Sequence, residues 1–155
     1  MNYEQFTLKT QDALQSASSI AQKNDHSEIG LEHILLALLQ QQDGIVPPIF
    51  ERIGVSIPQS LQELNLLLNK YPVVTGNNQI SFSAETQKVL SKAEVEMEKL
   101  RDQYLSTEHL LLAMSKSETS VGELLRKLGV SHSVILEALK FVRGNQQVTS
   151  QDPES

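Results

Sequence analysis

The chain has 155 residues, with 13 Lys and Arg against 19 Asp and Glu, a net charge of −6, and no cysteine. This excludes a general nucleic-acid or anionic-membrane binder, which needs a basic face, and it excludes disulfides and thiolate metal sites. With 39% apolar residues the chain can pack a core, yet it has no apolar run of the ~18 residues that a membrane span needs and no signal-peptide pattern in MNYEQFTLKT, so a cytoplasmic setting is expected.

The first predicted helix runs from about Leu8 to Lys23. Thr7 is its N-cap, because a hydroxyl there can accept from a free backbone N–H, and Phe6 stands where a hydrophobic staple belongs. Thr10, Ala13, Leu14, Ala17 and Ala21 form one stripe at helical spacing. The second helix holds ILLALL (Ile34 to Leu39). It is apolar all round, which places it in the middle of a bundle. The third is short, with Pro47 and Pro48 in its first turn and Gly54 as a left-handed stop. The fourth is capped by Ser56, has Pro58 in its first turn and carries Leu61, Leu64, Leu67 and Leu68.

The chain then repeats itself. FTLKTQDALQSA from Phe6 matches FSAETQKVLSKA from Phe82, and IGLEHILLAL from Ile29 matches LSTEHLLLAM from Leu105 without a gap. About a third of the positions from Phe6 to Leu39 are identical in this register, including Glu32/Glu108 and His33/His109. After a one-residue slip in the Gln40–Pro47 loop, Gly54-Val55-Ser56 meets Gly129-Val130-Ser131. Ser83 and Ser106 cap the first and second helices of the second copy, Gly129 ends its third and Ser131 opens its fourth. The expected fold class is all-α, two pseudo-twofold-related four-helix repeats packed as one domain. The units are residues 1–70, an inter-repeat loop at 71–81 rich in chain breakers, a second repeat at 82–143 and a polar linker or tail at 144–155. That tail is expected to be flexible unless something docks it. Val73-Val74 and Gln79-Ile80 are too short for a sheet.

Catalytic spacings are missing. No glycine precedes a lysine, so there is no phosphate loop, and neither a serine elbow nor an H-E-x-x-H zinc motif occurs. Asp25, His26, Glu28 and His33 lie close in sequence, but without metal-ligand spacing they read as loop and helix-start polar groups. The Glu-His pair opening each second helix serves either the helix dipole or a binding site. Leu14 and Leu90 are either ordinary core leucines or the lining of a shallow groove between the repeats.

The doubled FT-x-x-x-Q-x-x-L, STEHLLLA and LGVS motifs resemble the Clp N-terminal domain, and the likeness covers nearly the whole chain. The tail RGNQQVTSQDPE and the loop YPVVTGNN are most similar to the ClpB-type disaggregases, while GLEHILLALL is equally similar to the ClpC type. The resemblance implies a non-catalytic module of a larger ATPase. The module itself has no cofactor; ATP and Mg belong to the parent, a homohexameric ring working with an Hsp70-type chaperone system. Its implied partners are unfolded or aggregated proteins, with no nucleic acid and no membrane, and the isolated domain would be a monomer. In ClpB-like domains a polar cluster handles substrate, and its positions fall on Thr7, Asp102 and Glu108. In ClpC-like domains two acidic sites dock adaptors or read phosphorylated arginine; Glu32 and Glu108 match the acidic positions, Thr7 and Ser83 the capping ones. The resemblance further implies that Glu108→Ala impairs capture with little loss of stability.

Overall fold

The computed structural model describes residues 3–76, 79–144 and 146–153. The Asn77-Asn78 pair of the predicted inter-repeat loop, and Asn145, Glu154 and Ser155 of the predicted tail, lie outside the described residues. After a 3-10 turn at Tyr3–Gln5 come α1 (Leu8–Lys23), β1 (Glu28–Ile29), α2 (Leu31–Gln40), α3 (Val46–Ile53), α4 (Ile57–Leu68), β2 (Ser81–Phe82), α5 (Ala84–Lys99), α6 (Thr107–Lys116), α7 (Ser120–Lys127) and α8 (His132–Val142). The all-α expectation holds, with four helices in each copy.

Local chemistry sets the helix limits. The Thr7 hydroxyl accepts from the Thr10 amide at 3.2 Å and the Ser83 hydroxyl from the Thr86 amide at 3.1 Å. Gly54 and Gly129 end α3 and α7 with φ of 91° and 87°, a conformation that a Cβ would disfavour. Asp25 and Arg101 occupy equivalent left-handed turns after α1 and α5, with φ of 56° and 60°. The amides of the next residues, His26 and Asp102, reach back to the Ala21 and Met97 carbonyls. One turn geometry therefore delivers a histidine in the first repeat and an aspartate in the second to the same place.

The repeats are joined by reciprocal exchange. The Phe6 backbone bridges to Leu105, and β2 pairs in parallel with β1, setting Phe82 against Ile29. The Thr10 hydroxyl donates to the Leu105 carbonyl at 2.9 Å, and the Thr86 hydroxyl to the Ile29 carbonyl at 3.0 Å. The start of each repeat is thus held by the second-helix entry of the other. The third helix of each copy also packs on the fourth of the other, α3 on α8 and α7 on α4. The short strand pairing was absent from the sequence expectation. Two residues carry too little alternation to mark a strand, and the pairing depends on the partner repeat.

One apolar cluster runs through both copies, with Leu14, Leu35 and Leu38 on one side and Leu90, Leu111 and Leu112 on the other. The helices α2 and α6 are buried nearly all round, and they touch each other as well as their own repeats. Neither half can cover its central helix alone. Urea unfolding followed by circular dichroism and by tyrosine fluorescence should therefore give one coincident transition; two separated transitions would mean that the repeats fold independently.

Candidate functional site

The residues at the two second-helix entries form a pair of related sites. In each, the histidine at the third position of the helix turns back on its own N-cap. The His33 Nδ1 accepts from the Gly30 amide at 2.9 Å, and the His109 Nδ1 from the Ser106 amide at 2.8 Å. With Nδ1 committed as an acceptor, the hydrogen of each neutral ring sits on Nε2. What that hydrogen meets differs between the copies.

In the second repeat, the His109 Nε2 donates to the Asp102 Oδ2 at 2.7 Å. The other carboxylate oxygen of Asp102 receives Arg143 and the Val148 amide, the latter at 2.8 Å. Arg143 also reaches the Glu108 Oε2 at 3.4 Å, while the Ser106 hydroxyl donates to the Glu108 Oε1. Burial pushes the Asp102 carboxyl up, but the hydrogen bonds from His109, Arg143 and Val148, with the Arg143 charge, outweigh it and hold the carboxyl below its ordinary range. Asp102 and Glu108 are therefore brought together, buried, and share one guanidinium, which offsets part of their charge. Thr7 meets this helix entry through the backbone, its amide on the Leu105 carbonyl at 3.0 Å, and makes no hydrogen bond to Asp102 or Glu108 among the described residues. It is buried, and since the Thr10 hydroxyl donates to Leu105, the Thr7 hydroxyl hydrogen goes to the Thr10 Oγ1.

In the first repeat His26 replaces the aspartate. The His33 Nε2 donates to the His26 Nδ1 at 2.8 Å, and the Tyr71 ring stacks on His26 with centroids 4.9 Å apart. The Tyr71 hydroxyl donates to the Glu32 Oε1 at 2.6 Å. Burial, helped by His26 and opposed by the Gly30 amide, pushes His33 down to about 4; burial also lowers His26. Burial and the bond to Glu32 push the Tyr71 hydroxyl up. A Cβ on Gly30 would lie 1.8 Å from the Tyr71 oxygen, which explains a glycine where the second copy has Ser106. Glu85, in the first turn of α5, is raised by burial and by the Glu32 charge. Ser83 caps that helix. Among the described residues no Lys or Arg is paired with Glu32, so this site keeps an uncompensated acidic pair.

The Asp25–His33 stretch does not converge as a metal site, since His26 and His33 bind each other; among the described residues no group of three or more His, Asp or Glu is placed to hold a metal ion. Leu14 and Leu90 are buried, yet both form the floor of a cleft of about 470 Å³ between α1 and α5, together with Tyr3, Phe6, Phe82 and Gln87. Both readings of these leucines meet there. The sequence reading missed Arg143, Tyr71 and Val148. Each stands in a segment read as a helix end, loop or tail; Tyr71 and Val148 were marked only as an aromatic and an aliphatic residue among breakers and polar residues, and Arg143 carried no mark.

Residues 146–153 of the predicted tail are docked, which is the condition under which the sequence reading did not expect flexibility. The Val148 carbonyl accepts from the Gln103 amide at 2.8 Å and the Tyr104 amide at 3.3 Å, and the Gln151 carbonyl from the Leu8 amide at 2.8 Å. Composition could not show this, because the partners are backbone groups far away in sequence.

Residues 5–128 match the family model described as the Clp repeat (R) N-terminal domain. The chain is 40% identical to the chaperone protein ClpB of Bacillus cereus across 100% of its own length, and it spans 18% of that relative. The N-terminal domain of Hsp104 from Candida albicans superposes with a TM-score of 0.85 at 24% identity, covering 98% of this chain and 100% of that one. The N-terminal domain of the ClpV1 ATPase from E. coli EAEC gives 0.79 at 22% identity, covering 97% and 91%. The two structural likenesses speak for the fold alone, while the family model and the 40% identity speak for descent: the chain belongs to the Clp repeat N-terminal domain family.

Proposed function

We propose that this domain captures non-native polypeptide for a ClpB-type ATP-dependent disaggregase. It binds and does not catalyse; threading by a homohexameric ATPase ring, in concert with an Hsp70-type system, belongs to the rest of such a protein. The observation that carries the reading is the cleft on the line where the repeats meet, floored by Leu14 and Leu90 and rimmed by Tyr3, which is half exposed and packs against Phe6 at a tilt of 42° with centroids 5.1 Å apart. A shallow apolar cleft reads few features of its ligand, so it takes many sequences weakly. Weak capture suits a carrier that must hand its cargo on. Glu32 and Glu85, neither paired with a cation among the described residues, draw Lys- and Arg-rich client segments toward the same body.

Fluorescein-labelled casein should bind the chain with micromolar or weaker affinity, and Tyr3→Ser should weaken binding about fivefold with the melting temperature unchanged, as expected for an exposed aromatic contact. Equal binding by the variant would remove the cleft from the account. A second reading, docking of adaptors or of phosphoarginine by a ClpC-type domain, rests on the Glu32/Ser83 and Glu108/Thr7 pairs. The Arg143 guanidinium already lies against Glu108, so only the first-repeat half of that arrangement is open. Phosphoarginine titration separates the readings: saturable binding lost in Glu32→Ala favours the second.

A further inference from the structure

Residues 146–153 lie across the second-repeat site as an irregular segment that bends at Ser150 and Gln151, and the groups by which they are held are mostly backbone groups, not specific to their sequence. The Val148 amide and carbonyl take the Asp102 carboxylate and the Gln103 and Tyr104 amides. Further along, the Gln151 carbonyl takes the Leu8 amide, one of the unsatisfied donors of the first turn of α1. The one side chain of the segment that is buried among the described residues is Val148, at 4% exposure. An irregular backbone with one aliphatic side chain is what any unfolded polypeptide offers.

The first repeat supplies the comparison. There the segment after α4 also crosses the second-helix entry, with Tyr71 on His26 and the Val74 amide on the Asp25 carbonyl at 2.8 Å. That crossing is closed at both ends, because the chain runs on into β2, which is paired with β1. The crossing segment of the second repeat follows α8 and is held by the buried Val148 side chain, by backbone bonds that include the Gln146 carbonyl on the Arg143 Nε at 2.6 Å, and by the Gln151 side-chain amide, which donates to the Glu4 carbonyl at 2.8 Å.

We propose that Asp102, Gln103 and Tyr104 form a slot for one irregular polypeptide segment, that residues 146–153 fill it in cis, and that a client segment bearing a valine-sized residue displaces them. The proposal rests on the capture reading and adds a second, gated site to the seam cleft. Tethering gives the resident strand an effective concentration in the millimolar range, so a single apolar anchor is enough to keep the slot filled until a client competes. Asp102 and Glu108 then act by positioning a strand through its amide and through Arg143, with no need for a free charge.

The test uses the full chain carrying Val148→Asp, with Val148→Ser as the milder variant should the first unfold. In either, the Gln103 and Tyr104 amides should exchange with solvent about tenfold faster or more, while amides in α2 and α6 keep their protection. A synthetic peptide spanning 146–153 should restore the Gln103 and Tyr104 chemical shifts, casein should displace that peptide, and casein affinity should rise about tenfold over the wild type as the competing strand leaves. If the peptide leaves both resonances unmoved at millimolar concentration in a folded variant, the slot is overturned. Casein that binds without displacing the peptide overturns the displacement and leaves capture to the cleft. Peptide binding with no casein binding anywhere keeps the slot and overturns the capture reading instead.

Discussion

Asp102→Ala is expected to destabilise the chain by about 3 kcal/mol, the scale seen when one member of a buried charge pair is removed. Asp102 is 6% exposed and satisfies His109, Arg143 and the Val148 amide at once. Its loss leaves the His109 N–H without an acceptor and Arg143 with Glu108 as its one carboxylate, beside the Gln146 carbonyl. For a chain of this size that corresponds to a fall of roughly 10 °C in melting temperature. Asp102→Asn keeps the shape and an acceptor and should cost about half as much. Urea denaturation of the three proteins decides the matter; a loss below about 1 kcal/mol for the alanine variant would show that the network is not structural. The same geometry revises the expectation for Glu108→Ala. Glu108 is buried against Arg143 and Ser106, so its removal lowers stability measurably, and a capture defect in that variant has to be read against its folded fraction.

Acid is expected to weaken the fold well above the carboxylate range. The unfolded chain protonates His33 at about 6.5, whereas the folded chain resists until about 4. The folded state therefore binds fewer protons in that interval. The contribution is complete above pH 6.5, is lost progressively as pH falls toward 4, and amounts to about 3 kcal/mol. The cause is geometric. The His33 Nδ1 accepts from Gly30 and its Nε2 donates to His26, so an added proton has to break a bond at one ring or the other. His26 is lowered in the same direction, and since the two rings share one hydrogen they count as one switch. Asp102 acts in a separate window. Its stabilisation is present above the ordinary carboxyl value of 3.8 and is lost below it. Urea midpoints at pH 7.5, 5.5 and 4.5 should fall in order in the wild type and far less in His33→Gln. A flat wild-type profile over that range would contradict the neutral pair.

Much of the fold was legible because its determinants are local. Thr7 and Ser83 are short-range caps, Gly54 and Gly129 are left-handed stops, and the apolar girth of ILLALL announces a central helix. The duplication made each inference twice. What escaped lies between distant segments. The pairing of Glu28–Ile29 with Ser81–Phe82 and the docking of Val148 on Gln103 and Tyr104 are backbone contacts, and backbone groups leave no mark in composition. The polar entry of each second helix was legible as a position, and in the second repeat Asp102 and Glu108 both meet Arg143 there. Its charge state was not: Arg143 comes from the far end of α8, whereas Glu32 is met by the Tyr71 hydroxyl. Repeat symmetry suggests two equal acidic sites, and the substitution of Asp102 by its counterpart His26 makes them unequal.

The most direct test of the account is a titration of the isotopically labelled full chain with unfolded casein, followed by amide chemical shifts. The account predicts shifts that map to the line between α1 and α5, at Tyr3, Gln87 and Ser91, and to Gln103 and Tyr104, with the α4 surface unmoved. No shifts at any residue, or shifts confined to α4 and the outer face of α3, would contradict it.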